Sequence, residues 1–181
     1  TLLTATRGMD AVIHLAAAAG SNSVWEEVLS ANIIGLRNLF QAALKNDVRR
    51  IAFASRAGLV SDYPEDRMRT VDLPIHAGHY YSISKAFGEN MGYMYAHRFD
   101  MEVVCVRIGN FRAHPTHPHH LAHVDAVNVF EHAILQPDVK FEIVYGVSDS
   151  TWPLYDVDHG RRVIGYHPQE KSDIDPSDVT P

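Results

Sequence analysis

Only one cysteine, Cys105, occurs in the 181 residues, so no disulfide can close within the chain. Its setting, EVVCVRI, is that of an inert strand residue rather than a nucleophile. No apolar run approaches the ~20 residues of a membrane span, and TLLTATRGMD lacks the basic stretch and long apolar core of a secretory signal. Basic residues are scarce too. Sixteen Lys and Arg against 22 Asp and Glu leave a net charge of −6, which argues against nonspecific nucleic-acid binding but leaves an anionic small substrate open. A cytoplasmic protein with neither a membrane nor a nucleic-acid partner is the expectation. Glycine is missing where a dinucleotide would need it. No strand is followed by GxGxxG and a helix: Gly8 is isolated, and Gly88 and Gly92 fall within a helical segment.

The composition, 46% hydrophobic and 21% charged, suits one globular domain with a sizeable core. AVIHLA, from Ala11 to Ala16, is apolar without alternation, as in a strand buried on both faces. Ile33, Leu36, Phe40 and Ala43 then recur at helical spacing, predicting a helix from about Ser30 to Leu44. VRRIAFAS returns to strand character, and residues 58–78 are turn-rich, with room for a substrate-facing loop. A helix is predicted from Tyr80 to His97, a strand over MEVVCVRI, an irregular segment over GNFRAHPTHPHHLAH, a helix from Val124 to Leu135 and a strand over FEIVYGV. PLYDVDHGRRVIGYHP should carry a short helix. Strand and helix alternate throughout, so the fold class is α/β with an open, Rossmann-like, mostly parallel sheet over residues 1–168, followed by a weakly ordered tail over residues 169–181.

The sharpest local pattern is HYYSISKAFGEN. Tyr81 and Lys85, four apart, share a helix face. A nearby ammonium stabilises a tyrosinate, which makes Tyr81 a candidate proton acceptor for an alcohol that loses hydride. Alone, this pair also fits a solvated helix surface.

In order along the chain, HLAAAAG, SANIIGLRNLFQAA, YSISKAFGEN, VRIGNF and IVYGVSDS resemble the NAD-dependent epimerase/dehydratase group of extended or atypical short-chain dehydrogenases/reductases. The uronate dehydrogenases are the nearest members. The resemblance covers Ala11 to about Pro168. It implies NAD as cofactor, with NADP not excluded, and a sugar or sugar acid as substrate. It places Ala16 and Ala17 along the cofactor and Asn32 at the asparagine position beside the active-site helix. Tyr81 becomes the acid/base and Lys85 the ribose ligand and Tyr81 activator. Asn110 falls at a substrate-facing position, and His119 where an arginine commonly meets the substrate carboxylate. A homodimer through helices beside the catalytic one is also implied.

The chain departs from that pattern where a catalytic serine or threonine stands about 25 residues before the tyrosine. Arg56 occupies this place and Ser55 precedes it. Arginine is a permanently charged, donor-only group. Ser55 could supply the hydroxyl only after a shift of register, since neighbours on a strand point to opposite faces. Arg56 could instead meet a substrate carboxylate, or hold a structural or surface role. Ala57 and Gly58 replace an asparagine–histidine pair that contacts sugar. Five histidines lie between His114 and His123, yet their spacing matches no closed zinc motif and no acidic or cysteine partner completes one, so no metal is expected.

The leading expectation is uronate dehydrogenase-like hydride transfer to NAD. Nucleotide-sugar epimerisation or dehydration is the second, and a catalytically weakened sugar- or nucleotide-binding protein the third. The sheet should lack its N-terminal strand–helix units, which would leave the AVIHLA strand with an open apolar edge.

Overall fold

The computed structural model of the chain describes residues 1–113 and 117–173. A short helix α1 (Leu2–Ala5) precedes strand β1 (Ala11–His14). The first long helix starts earlier than its apolar spacing predicts. It runs as α2 (Trp25–Val28), a π-helical stretch Leu29–Ile34, and α3 (Gly35–Lys45). A π turn adds a residue and shifts the apolar register, so the spacing that begins at Ile33 does not reach back to Trp25.

Strand β2 (Arg50–Arg56) leads through a 3₁₀ turn, Ala57–Val60, into the turn-rich excursion and then α4 (Tyr80–Phe99). The His79 side chain caps α4 by accepting from the Ser82 amide, and Asp100 ends it in the left-handed region at φ 59°. Next come β3 (Glu102–Ile108), the two-residue strands β4 (Asn110–Phe111) and β5 (His120–Leu121), and α5 (His123–Leu135). β6 (Phe141–Gly146), β7 (Asp149–Ser150), α6 (Val157–Ile164) and β8 (Lys171–Ser172) follow.

Four strands form one parallel sheet in the order β1-β2-β3-β6. The period of two divides its side chains between two cores. Ile51 and Phe53 of β2, with Val103 and Cys105 of β3, meet Leu36, Phe40 and Tyr95 of α3 and α4. Ala52, Ala54, Val104 and Val106 project to the other face, against Val129 and Ala133 of α5 and Ile164 of α6. Each large side chain so buried contributes roughly 1.5–3 kcal/mol. Cys105 is buried in this core and burial pushes its thiol well above the usual range, as an inert strand residue requires.

Close approach of α4 depends on Gly88. A Cβ there would stand 2.3 Å from the Phe53 ring, so only glycine lets the helix lie on β2 at this point.

β1 lies at the sheet edge and, among the described residues, pairs only with β2. Ile13 and Leu15 are 44% and 61% exposed there, the open apolar edge anticipated from AVIHLA. At the other end, the beginning of the expected tail is tied down. Asp125, fully buried, accepts from the Gln169 and Glu170 amides at 2.6 and 3.2 Å, and β8 pairs with β7. Residues 174–181 and His114 lie outside the described residues. No helix among the described residues is long and apolar enough to cross a membrane.

Candidate active site

The carboxyl ends of parallel strands leave a crevice in folds of this kind, because each crossover departs from there. Here a cavity of about 400 Å³ opens at that end of β2 and β3, and its walls include Arg56, Gly58, Arg69, Tyr81, Asn110, His119 and Tyr155. Gly20 and Ser21, just past the alanine run that follows β1, line it from another side.

Tyr81 sits in the first turn of α4 and faces this cavity half-buried. Burial raises its pKa, and the Arg56 charge pulls it partly back. Lys85, one turn on, is buried, and burial lowers its pKa to about 8. Its Nζ donates to the Ala54 carbonyl at 2.7 Å and lies 5.4 Å from the centre of the Tyr81 ring. Geometry therefore keeps the Tyr81–Lys85 pair together, as its spacing predicts.

Ser55 is not part of the cavity. Its parity on β2 is that of Ile51 and Phe53, so it turns beneath α4, where its fully buried hydroxyl donates to Glu89 Oε1 at 2.6 Å. Ser55, expected among the catalytic residues, is thus engaged with Glu89 and not with the cavity. Arg56, of opposite parity and at the strand end, reaches the cavity. Its Nη1 contacts His79 Nε2 at 2.5 Å and donates to Ser82 Oγ at 2.9 Å, and its Cζ stands 5.7 Å from the Tyr81 ring centre. Burial and then the Arg56 charge lower the pKa of His79.

The glycine at position 58 is now intelligible. An added Cβ would meet Arg56 Nη2 at 2.3 Å, so the guanidinium in this position lies against Gly58 and would have to shift if a side chain stood there. The polar pair missing at residues 57 and 58 has given way to one large cation.

Arg69 is the cavity residue that sequence reasoning missed. It is 4% exposed, with Nη1 donating to the Tyr155 hydroxyl at 2.9 Å and Nη2 to the Ser61 and Tyr63 carbonyls. Among the described residues no carboxylate forms an ion pair with Arg56 or Arg69. Nothing in the local sequence marks Arg69, since an arginine in a turn-rich segment is ordinarily solvated. Tyr155 was equally silent; the bridge between Arg69 and Tyr155 joins segments 86 positions apart.

Asn110 and His119 are brought together, the Asn110 amide donating to the His119 carbonyl at 2.7 Å. His119 is held neutral: burial, followed by the charges of His117 and the two arginines among others, lowers it to about 3. It therefore cannot replace an arginine's charge at neutral pH. Among the described residues no group of three or more His, Cys, Asp or Glu side chains is placed to hold a metal ion.

Ala16 and Ala17 follow β1, Ala16 exposed and Ala17 half-buried, and neither lines the cavity. Asn32 lies in the π-helical stretch and is 5% exposed. Its Oδ1 accepts from the Ala18 amide at 2.8 Å, and its Nδ2 donates to the Ala18 carbonyl and Ser84 Oγ at 3.0 and 2.9 Å. The carboxamide thus clamps the alanine run to α4.

Known proteins share this architecture and much of this sequence. Residues 2–143 match the family described as "NAD dependent epimerase/dehydratase family". An NAD-dependent glucose-6-phosphate dehydrogenase of Haloferax volcanii is 37% identical over 91% of this chain and 70% of its own length. A uronate dehydrogenase of Pseudomonas putida is 32% identical over 94% of this chain and 64% of its own. The crystal structure of an Agrobacterium tumefaciens uronate dehydrogenase mutant complexed with NAD superposes with a TM-score of 0.88 at 29% identity, covering 94% of this chain and 65% of that one. The chain accordingly spans about two thirds of the length of such relatives. On the extent of the family match and the identity to these relatives, the chain belongs to the NAD-dependent epimerase/dehydratase family.

Proposed function

We propose that this chain carries the catalytic helix and substrate cavity of an NAD-dependent dehydrogenase that oxidises a sugar bearing an anionic group, with a uronate as the leading substrate. The observation that carries this reading is the placement of Tyr81 in one cavity with two guanidiniums, Arg56 and Arg69, neither of which forms an ion pair among the described residues. Glu65 lines the same cavity, so two cations stand against one carboxylate, and the balance favours an anionic ligand. Relatives named for a uronate and for glucose 6-phosphate agree with that charge.

NAD, when bound, supplies the hydride acceptor. The open alanine run at Ala16 and Ala17, clamped by Asn32, fits the nicotinamide and ribose half of such a cofactor, and Lys85 fits its ribose hydroxyls. No glycine-rich strand-to-helix turn stands in this sequence, so none of its residues is assigned to the pyrophosphate. Tyr81 takes the proton of the substrate hydroxyl as hydride leaves the same carbon, and the substrate ends as a carbonyl compound, a lactone if the carbon is anomeric. Arg69, Asn110 and His119 orient the substrate, and Arg56 meets it beside Tyr81. A homodimer through α4, where Tyr93, Met94 and Phe99 are exposed, is part of the same reading.

Formation of NADH from hexuronates, by the protein and by its Tyr81→Phe variant, tests the proposal. The parent should turn over and the variant should lose at least ~100-fold, the usual worth of a general base. Full activity in the variant would remove Tyr81 from the mechanism. Arg56 in place of a hydroxyl favours a second reading, a weakened binding protein, for which NAD binds without turnover.

A further inference from the structure

Arg56 is more than a substitution for a missing hydroxyl. Of its three guanidinium nitrogens, Nη1 alone is engaged, by His79 and Ser82. Nε and Nη2 have no hydrogen-bond partner among the described residues and lie beside the space that Gly58 leaves without a side chain, with Arg56 on the cavity wall. The guanidinium is seated between its neighbours: Ser82 Oγ accepts from Nη1, His79 packs beside it, and Gly58 places no side chain in its way. Ser55, the only neighbouring hydroxyl on β2, is committed to Glu89 on the far side.

We propose that Arg56 is a catalytic residue, which donates through Nε–H and Nη2–H to the reacting oxygen of the substrate while its charge stabilises the Tyr81 phenolate, and that Gly58 is the companion residue that admits it. The inference rests on the dehydrogenase reading of the cavity. In the oxidation the hydroxyl proton passes to Tyr81 and the hydride leaves the carbon for NAD; the oxygen bears negative charge in between, and Arg56 stabilises it without gaining or losing a proton. A serine at this position would supply one neutral donor. The guanidinium supplies two charged ones, and in a site shielded from water a charged donor is the stronger. Lys85 Nζ lies 5.4 Å from the Tyr81 ring centre and Arg56 Cζ 5.7 Å, so both cations flank Tyr81, but of these two it is Arg56 that lines the cavity where a substrate oxygen would sit.

The test places 3,5-difluorotyrosine, whose phenol ionises near neutrality, at position 81 and follows its titration by fluorine NMR, with neither cofactor nor substrate. In Arg56→Ser the midpoint should rise by ~1–3 units, the effect of removing an opposite charge at this range. Arg56→Lys should retain most of the parent value. Gly58→Ala should raise the midpoint too, because its methyl displaces the guanidinium while leaving Arg56 in the chain; thermal melts confirm that each variant is folded. In turnover of a hexuronate with unlabelled protein, Arg56→Ser should lower kcat by ~100-fold, the cost of one oxyanion donor. An unshifted titration in Arg56→Ser overturns the inference whether or not NADH forms. So does turnover in Arg56→Ser that equals or exceeds the parent. A shifted titration in a protein that produces no NADH would instead end the dehydrogenase reading and leave Arg56 as the cation on Tyr81 alone.

Discussion

The Ser55 hydroxyl and the Glu89 carboxylate are joined at 2.6 Å beneath the catalytic helix, and the same carboxylate receives Nε and Nη2 of Arg107 at 2.8 and 2.9 Å. All three side chains are buried, 0%, 3% and 1% exposed. The network joins α4 to β2 and β3 one turn beyond Lys85.

Ser55→Ala should therefore be a stability variant. Losing a hydrogen bond to a charged group costs about 1.5–3 kcal/mol, measurable by urea denaturation, while turnover stays within a factor of about two. A ~100-fold loss of turnover at unchanged stability would reinstate Ser55 as a catalytic hydroxyl.

Glu89→Ala strands the Arg107 guanidinium in the core. Burial lowers its affinity for a proton, and bonds and charge from Glu89 raise it; with Glu89 gone the guanidinium still keeps its charge, because arginine does not deprotonate in proteins. Breaking such a pair costs about 3–5 kcal/mol. A double variant, Glu89→Ala with Arg107→Met, should recover part of that loss, and a cycle of denaturation midpoints measures the coupling. Additive losses would show that the pair is not coupled.

Lys85 gives the fold an alkaline signature. Burial lowers its pKa from 10.5 to about 8. Below pH 8 both folded and unfolded chains hold the proton, and the burial penalty is present in full. Between 8 and 10.5 the unfolded chain binds more protons than the folded one, so stability rises with pH across that window. Lys85→Met should flatten the rise in urea midpoints relative to the parent; parallel curves would place the titration elsewhere.

Asn32→Ala removes the clamp between the alanine run and α4. A destabilisation of about 1–3 kcal/mol is expected from the unmade bonds. Hydrogen exchange at the Ala18 amide should accelerate, because that N–H loses its acceptor. Unchanged protection at Ala18 would mean that the backbone, not Asn32, holds this segment.

Much of the fold was legible in one dimension because its causes are local. Apolar runs such as EVVCVRI specify strands buried on both faces, and these are the parallel strands observed. The i, i+4 spacing of Tyr81 and Lys85 holds on any helix, so the pair survives intact in space. The departure at Arg56 was visible by counting back from Tyr81. The direction of Ser55 was not, because strand parity decides a face only once β2 is registered between β1 and β3 and α4 is laid across it.

By itself, then, the sequence determined an α/β chain of parallel strands, a Tyr81–Lys85 helix, and an arginine where a hydroxyl was expected. Tertiary structure alone decided that Gly58 makes room for that arginine, that Ser55 belongs to a buried ion pair, and that Arg69 faces the same cavity. The physical reason is range. Backbone period and propensity act over a few residues, whereas a cavity is assembled from groups such as Arg69 and Tyr155, whose contact joins distant segments and exists only after the sheet and its helices have packed.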